Sequence, residues 1–171
     1  MLIGLWVLLG GEVLGYALRY AERASSYWAA LARARQLGRP CYILGAPDLG
    51  PTGSILAAPY GHGDPRLGDR VIDFAPSCAP NAVRWDLRKG LPWVRDDSIV
   101  VFESCVLEYI EGDPAPVARE LLRASGGELY SVRVSRLCPV THILTDSRHL
   151  IDPALTRRPR PEYLVGAAWG L

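Results

Sequence analysis

The chain has 171 residues and a formal net charge of +1, with apolar residues at 49% and charged ones at 22%. That length supports one domain with a real core. The balanced charge excludes the basic surplus of a nucleic-acid binder, so no nucleic-acid partner is expected. The nearest basic run, Arg157-Arg-Pro-Arg160, is broken by proline and reads as a solvated loop. The four cysteines (Cys41, Cys78, Cys105 and Cys138) form no C-x-x-C pair. Cys41 and Cys105 sit in apolar surroundings and read as reduced core thiols. Together with His62, His142 and His149 the cysteines show no metal-ligand spacing, and no metal is expected.

Met1 to Leu18 is the most apolar stretch, with Glu12 as its only charged side chain. It falls slightly short of the roughly 20 residues that span a bilayer, a gap that Tyr20 and a tilted or thinned bilayer would close. Gly10, Gly11 and Gly15 suit close contact between membrane helices. Arg19, Arg23, Arg33, Arg35 and Arg39 all follow the run, and no Lys or Arg precedes it. The positive-inside rule then places the C-terminal part in the cytoplasm or on the equivalent side. A cleaved signal peptide is not expected, because no basic segment precedes the run and no small-residue cleavage site follows. The other reading is a helix packed on its own domain or on a partner, or used for self-association. Glu12 favours a partner helix or an interfacial position, since a carboxylate is costly in lipid.

Tyr20 to Leu37 continues as an alanine-rich helix, a neck with Tyr20, Tyr27 or Trp28, Leu31 and Ala34 on one side. Gly38-Arg39-Pro40 ends it. The expected organisation is therefore an anchor and neck helix over residues 1–37 and an α/β domain over 38–171.

Cys41 to Gly45 reads as a first strand running into a loop with Asp48, Gly50 and Gly53. Arg70 to Phe74 reads as a second strand and Ala82 to Asp86 as a third. Ser98 to Phe102 is a β-branched apolar run of the kind buried on both faces of a parallel sheet. Pro114 to Ala124 reads as a helix with proline at its start and Val117, Leu121 and Leu122 on one face. Gly126-Gly127 stops it, and Leu129 to Val134 alternates as a further strand. Strand, helix, Gly-Gly, strand is a right-handed βαβ crossover. Val100, Phe102, Val132 and Val134 are the expected core of the sheet. Leu137 to Thr145 and Glu162 to Gly166 can each hold a short strand.

The succession Asp86, Leu91-Pro92, Asp96-Asp97, Ile99 to Glu103, Val106 to Ile110, Pro116 to Arg123 and Gly126-Gly127 resembles the second half of a class I S-adenosylmethionine-dependent methyltransferase. The resemblance covers about a third of the chain. It implies a Rossmann-like, mainly parallel sheet, abbreviated here and preceded by a long N-terminal helix. It also implies S-adenosylmethionine as cofactor. By resemblance Gly45, Asp48 and Gly50 belong to the loop holding the methionine part. Asp73 takes the ribose hydroxyls, whose diol suits two acceptor oxygens. Asp86 accepts from the adenine amino group, with Leu87 beside the ring. Ser104, in the loop after the fourth strand, lies at the carboxyl edge where open α/β sheets bind ligands. Asp86 has a second reading as a turn or cap residue. Glu103 and Glu108 read equally as bases or substrate contacts and as solvated side chains or helix caps.

The chain departs from the family where Pro47 and Pro51 interrupt the glycine loop and Pro59 and Gly61 follow closely, so the first helix is abbreviated or lost. Three functions follow. The first is a membrane-attached methyltransferase acting on an unknown acceptor. The second is an inactive methyltransferase-like scaffold, such as a minor membrane protein of a virion. The third is a soluble binding domain whose N-terminal helix docks on a partner protein.

Overall fold

The computed structural model describes residues 2–45, 61–74, 79–104 and 106–132. Helix α1 (Leu2–Leu37) leads to β1 (Cys41–Leu44), β2 (Arg70–Asp73), β3 (Ala82–Arg84) and β4 (Val100–Ser104), then to helix α2 (Ala115–Ser125) and β5 (Leu129–Val132). The strands form one five-stranded sheet in the order β3-β2-β1-β4-β5. Every neighbouring pair is parallel. The architecture is α/β. Ile43 at the centre pairs with Val71 on one side and Phe102 on the other.

The unbroken apolar runs are explained by cover on both faces, since parallel sheets carry helices above and below. Alternate residues divide between two cores. Cys41, Ile43, Val71, Val100, Phe102, Tyr130 and Val132 pack with Tyr27, Ala29, Ala30 and Ala34 of α1. Tyr42, Leu44, Ile72, Val101 and Leu129 pack with Val117, Leu121 and Ala124 of α2 on the opposite face.

Alanine lets the backbone of α1 approach the sheet closely. Tyr27 then fills the remaining space, meeting the Phe102 ring edge-on at a centroid distance of 5.6 Å. Trp28 points outward and is 48% exposed, which settles the choice between the two aromatics. The segment expected as a neck is thus a layer of the fold from Ala24 to Ala34. Among the described residues, no helix is long and apolar enough to cross a membrane.

Helix α2 starts with Pro116 in its first turn and ends at Gly126, whose φ of +59° is left-handed. A side chain there is strained by that conformation and would also press on the Asp97 carboxylate.

The amino ends of the strands are fastened by ion pairs. Asp69, 1% exposed just before β2, accepts from Cys41 N at 2.7 Å and Asp64 N at 2.7 Å. Both of its oxygens also face Arg35 of α1. Glu128, just before β5, pairs with Arg33 at 2.8 Å. Asp97 and Asp96, just before β4, pair with Arg39 and Arg123.

Three expectations are corrected in detail. The fourth strand is shifted to Val100–Ser104. The third ends at Arg84, which leaves Asp86 outside it as the cap of a short 3₁₀ turn, Leu87–Lys89. The second strand ends at Asp73, so Phe74 lies beyond it. Asp48, Gly50, Gly53, Val134 and the candidate strands after residue 136 lie outside the described residues. The link from β2 to β3, residues 74–81, is shorter than the dozen or so residues an ordinary parallel crossover takes.

Candidate functional site

A cavity of about 490 Å³ opens at the carboxyl ends of the strands. Its walls include Gly45 after β1, Asp73 and Phe74 at the end of β2, Trp85 to Arg88 after β3, Ser104 at the end of β4, and Val106 and Tyr109 to Glu111 beyond it. Of the residues expected to bind a cofactor, Gly45, Asp73, Asp86, Leu87 and Ser104 therefore surround one space. Asp48 and Gly50 are not among the described residues.

Gly45 is needed for closeness. Its φ is +85°, and an added Cβ would stand 2.9 Å from Val106 Cγ2. The chain leaving β1 and the chain leaving β4 thus touch at the cavity floor. Ser104 receives a hydrogen bond from Nε of Arg23, so α1 also reaches this edge. Asp73 lends its carbonyl to Trp85 N at 2.7 Å, which holds the turn after β3 against the end of β2.

Asp86 behaves as a cap. Its Oδ1 accepts from Arg88 N at 3.0 Å and from Arg88 Nε at 2.9 Å. Oδ2 accepts from Nε at 3.1 Å and Nη2 at 2.9 Å. These side-chain and backbone donors of Arg88 hold the Asp86 carboxyl below the usual carboxylate range. Arg88 Nη1 reaches across to Glu111 Oε2 at 3.5 Å, a long contact to a carboxylate that is 90% exposed.

Sequence reasoning missed the aromatic mouth. Phe74 and Tyr109 are 65% and 63% exposed, and both line the cavity with Trp85. Exposed aromatics that the core does not use are a signal of binding rather than packing. Their sequence positions, directly after an acidic strand end and in the Val106–Ile110 segment, carried that signal. Trp85 is held in place by its indole N–H, which donates to Gly90 O at 2.7 Å, and by Trp93, which meets it edge-on.

Glu103 is not a base for this cavity. It is 2% exposed, and its carboxylate accepts from Val106 N at 3.0 Å and from the Ser131 hydroxyl. It fixes the exit of β4 against β5. Glu108 falls in the 3₁₀ turn Leu107–Tyr109.

The cavity offers stacking surfaces, carboxylates and one guanidinium, with no nucleophile–base pair among the described lining residues. Such a set can bind and orient a flat polar molecule. No family model, no curated protein and no solved structure matches this chain.

Proposed function

We propose that the sheet is Rossmann-like and that the cavity receives a nucleoside-bearing cofactor of the S-adenosylmethionine kind, for methyl transfer to an acceptor. One observation carries this reading. Gly45, Asp73, Asp86, Leu87 and Ser104, from the ends of four strands, meet in one cavity at the carboxyl edge. In the order β3-β2-β1-β4-β5 the chain turns one way from β1 and later the other way. Open α/β sheets bind ligands beside that reversal. Methyl transfer needs mainly alignment of donor and acceptor, so the site requires no catalytic base.

The test is calorimetric titration of the full chain with S-adenosylhomocysteine. Saturable binding below millimolar concentration supports the reading. No heat at millimolar ligand leaves the inactive scaffold. The full chain is required, because a fragment beginning at Gly38 lacks Tyr27, Ala30 and Ala34, which cover one face of the sheet.

The apolar start of α1 supports a second element of the proposal, attachment to a membrane with the domain on the cytoplasmic side. Val13 and Leu14 are 71% and 54% exposed, upstream of the part of α1 that covers the sheet. We place this half at the membrane interface, where an apolar helix carrying one carboxylate can lie. Flotation with vesicles containing anionic lipid tests it. A full-length monomer that stays in the aqueous fraction, without detergent, rules it out.

A further inference from the structure

At the β3 corner of the cavity, the polarity is the reverse of what a lone aspartate would offer. A carboxylate has about four lone-pair sites. Three N–H groups of Arg88, N, Nε and Nη2, take up most of that capacity, with Nε shared between the two oxygens. At most one site remains on Asp86 to accept from an incoming amino group while the pair stays intact. Arg88, in contrast, has donors to spare. Among the described residues its Nη1 meets only the long 3.5 Å contact to Glu111, which a ligand displaces readily. Asp86 thus acts as the positioning residue, orienting a guanidinium that is itself 45% exposed and lines the cavity.

We propose that Arg88 is the specificity-determining group at this corner, and that the cavity selects ring edges carrying an acceptor, such as a keto oxygen, over edges carrying an exocyclic amine. A planar guanidinium donates two parallel hydrogen bonds to adjacent acceptors on a purine edge, the geometry by which arginine reads guanine. The aromatic walls Phe74, Trp85 and Tyr109 supply stacking that is indifferent to ring identity. Discrimination therefore falls to the corner. An adenine-bearing ligand binds through its ring nitrogens rather than through its amino group.

This inference rests on the reading that a nucleoside occupies the cavity. The experiment compares inosine with adenosine, which differ at that ring edge, by titration monitored through tryptophan fluorescence and calorimetry on the full chain. Inosine should bind about tenfold more tightly, as one charge-assisted hydrogen bond allows. In Arg88→Gln the Asp86 carboxylate is released to accept from an amine, and the preference should invert in favour of adenosine. In Glu111→Gln, a change at a side chain that is 90% exposed, the preference for inosine should persist or grow, and its loss would overturn the proposal.

Tighter binding of adenosine to the unaltered protein overturns the proposal alone, and so does a preference unchanged in Arg88→Gln. If neither nucleoside nor S-adenosylhomocysteine binds at millimolar concentration, the cofactor reading itself falls, and this inference falls with it.

Discussion

The two edges of the sheet are built on opposite principles. At the amino edge, acidic residues stand just before β2, β4 and β5, and each meets an arginine from a helix or its end: Asp69 with Arg35, Asp97 with Arg39, Glu128 with Arg33. At the carboxyl edge, aromatics stay exposed and carboxylates ring a space. Charge at the first edge is spent on joining elements. At the second, Asp73, Asp86 and Glu111 line a cavity. The difference teaches where to look for function in this sheet: at the edge whose polar groups the fold needs least.

The contrast is best broken from the middle outward. Phe102, fully buried between β1 and β5 and under Tyr27, belongs to neither edge. Phe102→Ala should cost roughly 3–5 kcal/mol of stability and weaken both edges together. An unchanged denaturant midpoint would contradict this packing.

Next in size is Asp69→Ala at the amino edge. It orphans the buried Cys41 amide and the half-buried Asp64 amide, and removes the anion facing Arg35. The expected loss is about 3 kcal/mol, tempered because Arg35 reaches solvent. Ligand affinity in the folded fraction should be unchanged. A drop in affinity that exceeds the unfolded fraction would merge the two edges into one device.

Phe74→Ala should give the mirror result. As an exposed residue it should alter stability by less than about 0.5 kcal/mol. Affinity for S-adenosylhomocysteine should fall about fivefold or more through lost stacking. A stability loss comparable to that of Phe102→Ala would show that the aromatic mouth is core.

The smallest effect is in pH dependence. Arg123 side-chain donors, aided by Leu91 N, hold the Glu120 carboxyl below its usual value. A depressed folded-state pKa adds stability that is present above the ordinary Glu value and is lost as pH falls through the lower one. Glu120→Gln should therefore flatten the acid limb of the stability curve and leave ligand affinity alone. An identical acid limb in both proteins would show that the pair contributes nothing.

Much of the sheet was legible because its signal is local. Val100-Val-Phe102 and Cys41 to Leu44 are uninterrupted apolar runs, and Pro116 and Gly126 punctuate α2 as their backbone chemistry requires. Val100, Phe102 and Val132 are each 0% exposed, as their pattern indicated. The candidate site was legible only in position. The succession of strand ends indicated which residues could meet, but not that Arg88, two residues on, satisfies Asp86. That depends on the strand ending at Arg84 and on a 3₁₀ turn that begins just after Asp86, with Asp86 as its cap. The amino-edge pairs were illegible for another reason. Arg35 and Asp69, or Arg33 and Glu128, are 34 and 95 residues apart, and no spacing rule reaches that far. The buried role of Ala24 to Ala34 was hidden likewise, since an alanine-rich stripe is ambiguous between a neck and a close-packed layer.

That layer has a consequence in time. Tyr27 leaves the ribosome long before Phe102, the ring it packs against, and earlier still than Val132 on the same face. At about 5–20 residues per second, synthesis separates Tyr27 from Phe102 by roughly 4–15 seconds. Throughout that interval the inner stripe of α1 lacks the β4 and β5 part of its cover. Its cover is completed only when β5 has been made, so for the nascent chain the helix that packs on the sheet stays partly uncovered until the last described strand is in place.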